Sequence, residues 1–354
     1  MHMCDALIGR GLRVSVAPPA SSFGRASRSA LSGYGVKHEV PIHRLWKPGI
    51  RGGGLVYRFF LKRLLSTSPA DFVYGRSLQG CRIAAELGKP TAFEAHKPEW
   101  ELGERSRVDF ERLLAGTGFR AVVCISEALE RRLLEAFPGL DGRTIVAHDG
   151  APALEKPESA GRNEEFVVGY FGSLHKGKGV ETLLEVAPRC SWATFRIVGG
   201  DPSTIQAWRE EHVIPANVHF LGHHAHRELP TMMAECDVLV APYLEKVSVH
   251  GGGGDVARWM SPLKLFEYMA MLRPIVAADL PVLREVLRDG DNALLAGPGK
   301  VDEWVRALEL LRDDGELARR LGEQARSDYE ARHTWDARAG HILSELRRIG
   351  AVSA

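Results

Sequence analysis

The stretch Ser261-Pro-Leu-Lys-Leu-Phe-Glu-Tyr-Met-Ala270, followed by Arg273-Pro-Ile-Val-Ala-Ala-Asp-Leu-Pro281, decides how this chain is read. Ser261 suits a helix N-cap and Pro262 the first helical turn, so a helix is expected over Ser261–Met271. Pro274–Ala277 is then a short apolar strand. At the start of this helix the backbone N–H groups of Leu263, Lys264 and Leu265 are expected to be free. Together they form an anion site suited to a diphosphate. Glu267 lies one turn further in, where a carboxylate accepts hydrogen bonds from sugar or ribose hydroxyls.

The same alternation of helix and strand extends outward in both directions. Strands are expected at Phe166–Phe171, Thr194–Val198, Val218–Leu221 and Val238–Ala241, with helices at Val180–Val186 and Leu229–Glu235 and helical pattern across 302–348. The first half reads similarly, with strands at Leu12–Ala17, Asp71–Tyr74, Thr91–His96, Ala121–Ile125 and Thr144–Ala147. Ser126 caps a helix over Glu127–Phe137. Strands alternating with helices give parallel sheets. A chain of 354 residues is too long for one ordinary domain of this kind. The expected fold is therefore α/β, with two Rossmann-like doubly wound domains at 1–150 and 151–330. A C-terminal helix at 331–354 is expected to cross back to the first. Ala151–Glu165, rich in Pro, Ala and charge, reads as the linker. In the first domain a helix at His2–Arg10 comes before any strand, so its first strand is expected to be missing upstream.

A second segment, Tyr170-Phe-Gly-Ser-Leu-His-Lys-Gly-Lys-Gly179, runs from a strand through a glycine-rich loop into a helix. Glycines let a backbone approach a phosphate, and Lys176 or Lys178 neutralises its charge. The loop has neither the spacing of a P-loop nor the G-x-G-x-x-G of a dinucleotide fold.

Together the two segments resemble the retaining glycosyltransferases of the GT-B fold, family 4 (glycosyl transferases group 1). Phe220-Leu-Gly-His223, Cys236-Asp-Val-Leu-Val-Ala-Pro-Tyr243, and Leu283-Arg-Glu-Val286 with Asp289-Gly-Asp-Asn292 are similar to further motifs of that family. Phe93-Glu-Ala-His96 and Ile125-Ser-Glu127 match its N-terminal segments. The resemblance implies transfer of a hexose from a UDP-, GDP- or ADP-sugar to an acceptor hydroxyl, with retention and without a metal or other cofactor. The acceptor would be a glycan, a lipid-linked group or a small molecule. Lys178 would bind the diphosphate and stabilise the leaving group, and Glu267 would hold the ribose. The backbone at Leu263, Lys264 and Leu265 would take the phosphates, beside Gly172 and Ser173. His223 would lie near the nucleobase, and His96 near the reacting sugar from the other domain.

Two departures from the family pattern stand out. Ser173 occupies a position where many members have arginine. The family's paired glutamates, E-x7-E, are reduced to Glu267, because Trp259 stands where the first belongs. Asp255, one helical turn away after the run His250-Gly-Gly-Gly-Gly, is the nearest carboxylate and is expected to substitute for it in contacting the sugar.

Composition sets the remaining bounds. No apolar run reaches the roughly 20 residues that span a bilayer, and the start lacks a basic and apolar leader. The five cysteines form no C-x-x-C pair, which argues for reduced thiols in the cytoplasm and against a structural zinc. Residues 1–150 carry 22 Lys and Arg against 15 Asp and Glu, whereas 151–354 carry 24 against 30. Between residues 41 and 66 six cations and the aromatic residues Trp46, Tyr57, Phe59 and Phe60 occur with no acid. Such a segment suits peripheral contact with anionic headgroups on the inner face of a membrane, and equally a solvated basic face. No nucleic-acid partner is expected. Asp289-Gly-Asp291 reads as a turn rather than a metal motif, and His223, His224 and His226 as loop residues rather than ligands. Two other functions fit the same residues: a nucleotide-sugar epimerase, and a sugar-nucleotide-binding partner protein without catalysis.

Overall fold

The computed structural model describes residues 1–20, 36–50, 53–155, 165–247, 255 and 257–352. Arg51, the glycine run 251–254 and most of the expected linker lie outside them. Two compact units emerge: Met1–His148 with Trp335–Ala354, and Asp149–Thr334.

The first unit opens with α1 (His2–Gly9), β1 (Pro19–Ala20) and β2 (Leu45–Trp46), which pair as a short parallel ribbon. The strand expected at Leu12–Ala17 is not formed. Of those residues only Val16 bridges, to Ile42. Helix α2 (Gly53–Thr67) leads to β3 (Val73–Gly75), α3 (Leu78–Glu86), β4 (Thr91–Ala95), α4 (Glu104–Ala115), β5 (Phe119–Cys124), α5 (Glu127–Ala136) and β6 (Thr144–Val146). The sheet is parallel throughout, in the order β3-β4-β5-β6. All five residues of β4 are buried, as a strand covered on both faces requires. Serines start two of the helices: Ser77 accepts the Gly80 N–H and Ser126 the Leu129 N–H.

The second unit carries β7 (Phe166–Phe171), α6 (Val180–Val186), β8 (Ala193–Val198), α7 (Pro202–Glu211), β9 (Val218–Gly222), α8 (Leu229–Ala234), β10 (Val238–Ala241), α9 (Leu263–Met269), β11 (Ile275–Ala278), β12 (Leu294–Ala296), α10 (Val301–Asp313) and α11 (Gly315–Asp328). Its six-stranded sheet runs β12-β11-β10-β7-β8-β9, all parallel. The chain winds outward from β7 through β8 to β9, then returns to place β10 on the other side of β7. The order reverses there, and the carboxyl ends of β7 and β10 form the crevice in which such sheets hold ligands. Strands β10 and β11 are buried at every residue.

A π-helical turn at Tyr329–His333 leads to α12 (Trp335–Arg348), which belongs to the first unit. Its Ile342 and Leu346 bury against Ala92, Ala121, Val123 and Ile145 of β4 to β6. Among the described residues no helix is long and apolar enough to cross a membrane. All five cysteines are free thiols, and all but Cys4 are buried.

Candidate functional site

The crevice end of the second unit is built by packing before any ligand is considered. Gly179, the residue before α6, has φ +83°, and a Cβ there would fall 1.6 Å from the Pro242 carbonyl oxygen. Gly177, at φ +86°, would bring a Cβ within 2.0 Å of the Lys246 carbonyl oxygen, and its own oxygen accepts the Leu244 N–H at 3.0 Å. These two glycines admit the chain that leaves β10, a packing reason for glycine that the sequence pattern does not reveal.

The helix start also differs from expectation. α9 begins at Leu263 after Pro262, and Ser261 does not cap it. The Ser261 hydroxyl instead accepts the Asp149 N–H at 2.8 Å. The Leu265 N–H is not free either, since it donates to the Pro262 oxygen at 3.0 Å. A proline at the capping position offers no side-chain acceptor, so the first turn tightens onto its own carbonyl. Further along, the Tyr268 hydroxyl bridges the N–H and the carbonyl of Phe171 at 2.8 and 3.2 Å. That contact ties α9 to the end of β7 and brings the two quoted segments together.

Four side chains, from these segments and from the chain just after β10, converge. The Lys264 ammonium lies 4.0 Å from the Tyr170 ring centre and 4.9 Å from that of Tyr243, while Lys178 approaches the Tyr243 ring at 5.1 Å. A Cβ on Gly172 would meet the Lys264 Nζ at 2.9 Å. Glu267, its side chain 15% exposed, faces the exposed His226 at 3.5 Å. Burial lowers the Lys178 pKa. Burial, reinforced by the nearby Lys178 charge, sets Lys264 well below the ordinary lysine value, although Glu267 opposes the shift. Glu267 is pushed up by burial against the opposing pull of His226 and Lys264. Two lysines and one carboxylate, poorly solvated at a switch point, form a site suited to an anion bearing hydroxyls.

Other expected residues sit differently. Ser173 is exposed, and its carbonyl accepts the Tyr170 hydroxyl at 2.7 Å. His223 is exposed just beyond β9. His224 turns to the Leu221 carbonyl at 3.2 Å and to Glu228, away from the partner of His226. One Asp255 oxygen accepts the N–H groups of Val247 and Ala257, each at 2.9 Å. Trp259 is half-buried. Asp289 accepts the Leu295 N–H and Asp291 pairs with Arg288, as a turn requires. His226 was the residue the sequence undervalued, because its relation to Glu267 spans 41 positions of chain and leaves no local pattern.

In the first unit, the E-x-H segment closes β4. His96 Nε2 lies 2.6 Å from Glu94 Oε1, and its Nδ1 3.1 Å from Arg76. Glu94 also accepts from Tyr74 and pairs with Arg338 of α12 at 3.1 Å. Burial alone would raise the Glu94 pKa, but the His96 hydrogen bond and the Arg338 charge outweigh it and hold the group at about 2. Glu99, in the turn after β4, went unnoticed in the sequence. Burial pushes its pKa up to about 7, and its Oε2 is buried with no hydrogen-bond partner among the described residues.

Residues 165–314 match the family described as glycosyl transferases group 1. The alpha-D-kanosaminyltransferase of Streptomyces kanamyceticus is 26% identical over 210 residues, 56% of this chain and 50% of that protein. A D-inositol 3-phosphate glycosyltransferase of Mycobacteroides abscessus is 26% identical over 281 residues, 75% of this chain and 58% of that protein. The chain thus spans about half the length of the curated relatives it matches. The crystal structure of Anabaena HepE in complex with UDP and glucose superposes with a TM-score of 0.71 at 19% identity, covering 98% of this chain and 95% of that one. Likeness at that identity speaks to fold, and the fold is GT-B.

Proposed function

We propose, from the match of residues 165–314 to the glycosyl transferases group 1 and from the GT-B fold, that the protein is a glycosyltransferase that takes a hexose from a nucleoside diphosphate sugar. The observation that carries the proposal is the convergence of Lys178, Lys264 and Glu267 where the second sheet reverses its strand order. The donor is a UDP-, GDP- or ADP-sugar. HepE, whose structure was solved with UDP and glucose, supports a donor of this kind.

In the proposed reaction the bond between sugar C1 and the diphosphate oxygen breaks. The acceptor oxygen bonds to C1 on the same face, and the acceptor proton leaves with the diphosphate. Lys178 stabilises the charge that grows on the departing diphosphate, without a metal. Glu267 takes ribose hydroxyls and His223 lies toward the base. Gly172 and the Leu263 and Lys264 N–H groups border the phosphates. His96, held by Glu94, acts on the acceptor side.

A second reading, donor binding without transfer, rests on one observation. Trp259 replaces a carboxylate, and Asp255, its nearest substitute, spends one oxygen on the Val247 and Ala257 N–H groups. Incubation with each nucleotide sugar and candidate acceptors, followed by mass spectrometry, separates the readings. A product heavier than the acceptor by one hexose, absent with Lys178→Ala, is expected. Free nucleotide-sugar isomer without acceptor would point to an epimerase, and binding with no product to the non-catalytic reading.

A further inference from the structure

Lys264 is the least explained group in the second unit. Its ammonium is completely buried and, among the described residues, makes no hydrogen bond, an arrangement that costs stability unless something offsets it. The rings of Tyr170 and Tyr243 flank it, at 4.0 and 4.9 Å to their centres. An apolar side chain of the same length would fill this space without the penalty. The amine lies directly against Gly172, the first residue beyond β7, where a Cβ would fall 2.9 Å from its Nζ. Three residues away in sequence, Glu267 reaches the same end of the unit. Lys178 shares the Tyr243 ring with it.

We propose that Lys264, through its side chain and from beneath Gly172, supplies the second positive charge of the donor's diphosphate subsite, in place of the cation that Ser173 does not provide. The assignment rests on the donor reading above and adds a binding residue to it. It also makes donor binding a protonation event. Facing Lys264 are Lys178 from the glycine loop, Glu267 from its own helix, Tyr170 from β7 and Tyr243 after β10, with Glu181 of α6 acting on Tyr170. Before donor arrives burial, reinforced by the Lys178 charge and opposed by Glu267, holds the amine toward its neutral form. A diphosphate brings negative charge that reverses the balance, and the amine takes a proton from the buffer as the complex forms.

The test is calorimetry of UDP and of uridine binding, each in two buffers of different ionisation enthalpy, for the wild type, Lys264→Met, and Lys264→Met with Ser173→Arg. UDP is expected to bind Lys264→Met about ten- to a hundredfold more weakly, with uridine binding unchanged. The buffer dependence of the UDP heat, present in the wild type, should vanish in Lys264→Met. Arginine at 173 should restore part of the UDP affinity without restoring proton uptake. Equal UDP affinity in wild type and Lys264→Met overturns the assignment alone. So does a parallel loss of uridine binding, the mark of a merely structural lysine. A wild type that binds neither UDP nor any other nucleoside diphosphate overturns the donor reading and this assignment with it.

Discussion

At the scale of single residues, Glu94 shows how a motif residue can serve the fold and the site at once. Its carboxylate is 5% exposed, yet it is ionised, because His96, Arg338 and Tyr74 surround it. The sign of its pH effect follows from the depressed value. Stability supplied by Glu94 is fully present above its unfolded pKa of about 4.5 and drains away as pH falls toward about 2. A shift of that size corresponds to about 3 kcal/mol. Glu94→Gln is therefore expected to melt well below the wild type at pH 7, with the gap between them closing from pH 4.5 downward. A gap that stays constant from pH 7 to pH 3 in thermal denaturation would contradict this. Arg338 deepens the cost of the change, since it is 2% exposed and would lose the carboxylate it meets at 3.1 Å.

At the scale of elements, α2 presents one stripe to solvent. Leu55, Phe59, Lys62, Arg63 and Ser66 fall at helical spacing on its exposed side, while Leu61 and Leu65 bury on the other. Leu55 and Phe59 are 62% and 66% exposed, and two large apolar side chains beside two cations suit an anionic lipid surface. Flotation with vesicles containing phosphatidylglycerol should carry the protein, and Phe59→Ser with Lys62→Glu should release it. Equal recovery with neutral and anionic vesicles would leave α2 a solvated basic helix. The elements themselves were legible in the sequence where they are long, apolar and centrally placed: β7, α6 and β10 fall where the sequence puts them, because buried parallel strands are continuous apolar runs. The strand expected at Leu12–Ala17 is not formed because an alternating run has no ladder without a partner strand, and among the described residues only Ile42 bridges to it, at Val16. Helix α7 was missed because Ile205 and Trp208 are its only buried residues. Its Asp201 cap, which accepts the Thr204 N–H, was the available signal.

At the scale of the molecule, the site was legible as two segments but not as a cluster. Lys178 and Glu267 could be named from local pattern. That Lys264 turns inward beneath Gly172, and that His226 faces Glu267, depends on strands separated by crossovers, which no local spacing encodes. The glycines at 177 and 179 illustrate the converse, a pattern noticed in the sequence for which the neighbouring chain supplies a packing cause. The central claim is that the second unit binds the diphosphate of a sugar nucleotide through Lys178 and its neighbours. The most direct measurement is a thermal-shift screen of UDP-, GDP- and ADP-sugars on the wild type and on Lys178→Ala. At least one of them should raise the melting temperature by RT ln(1 + [L]/Kd) of added stability, and Lys178→Ala should lose most of that rise. If no nucleotide sugar shifts the wild type, or if the same sugar shifts Lys178→Ala equally, the account is contradicted.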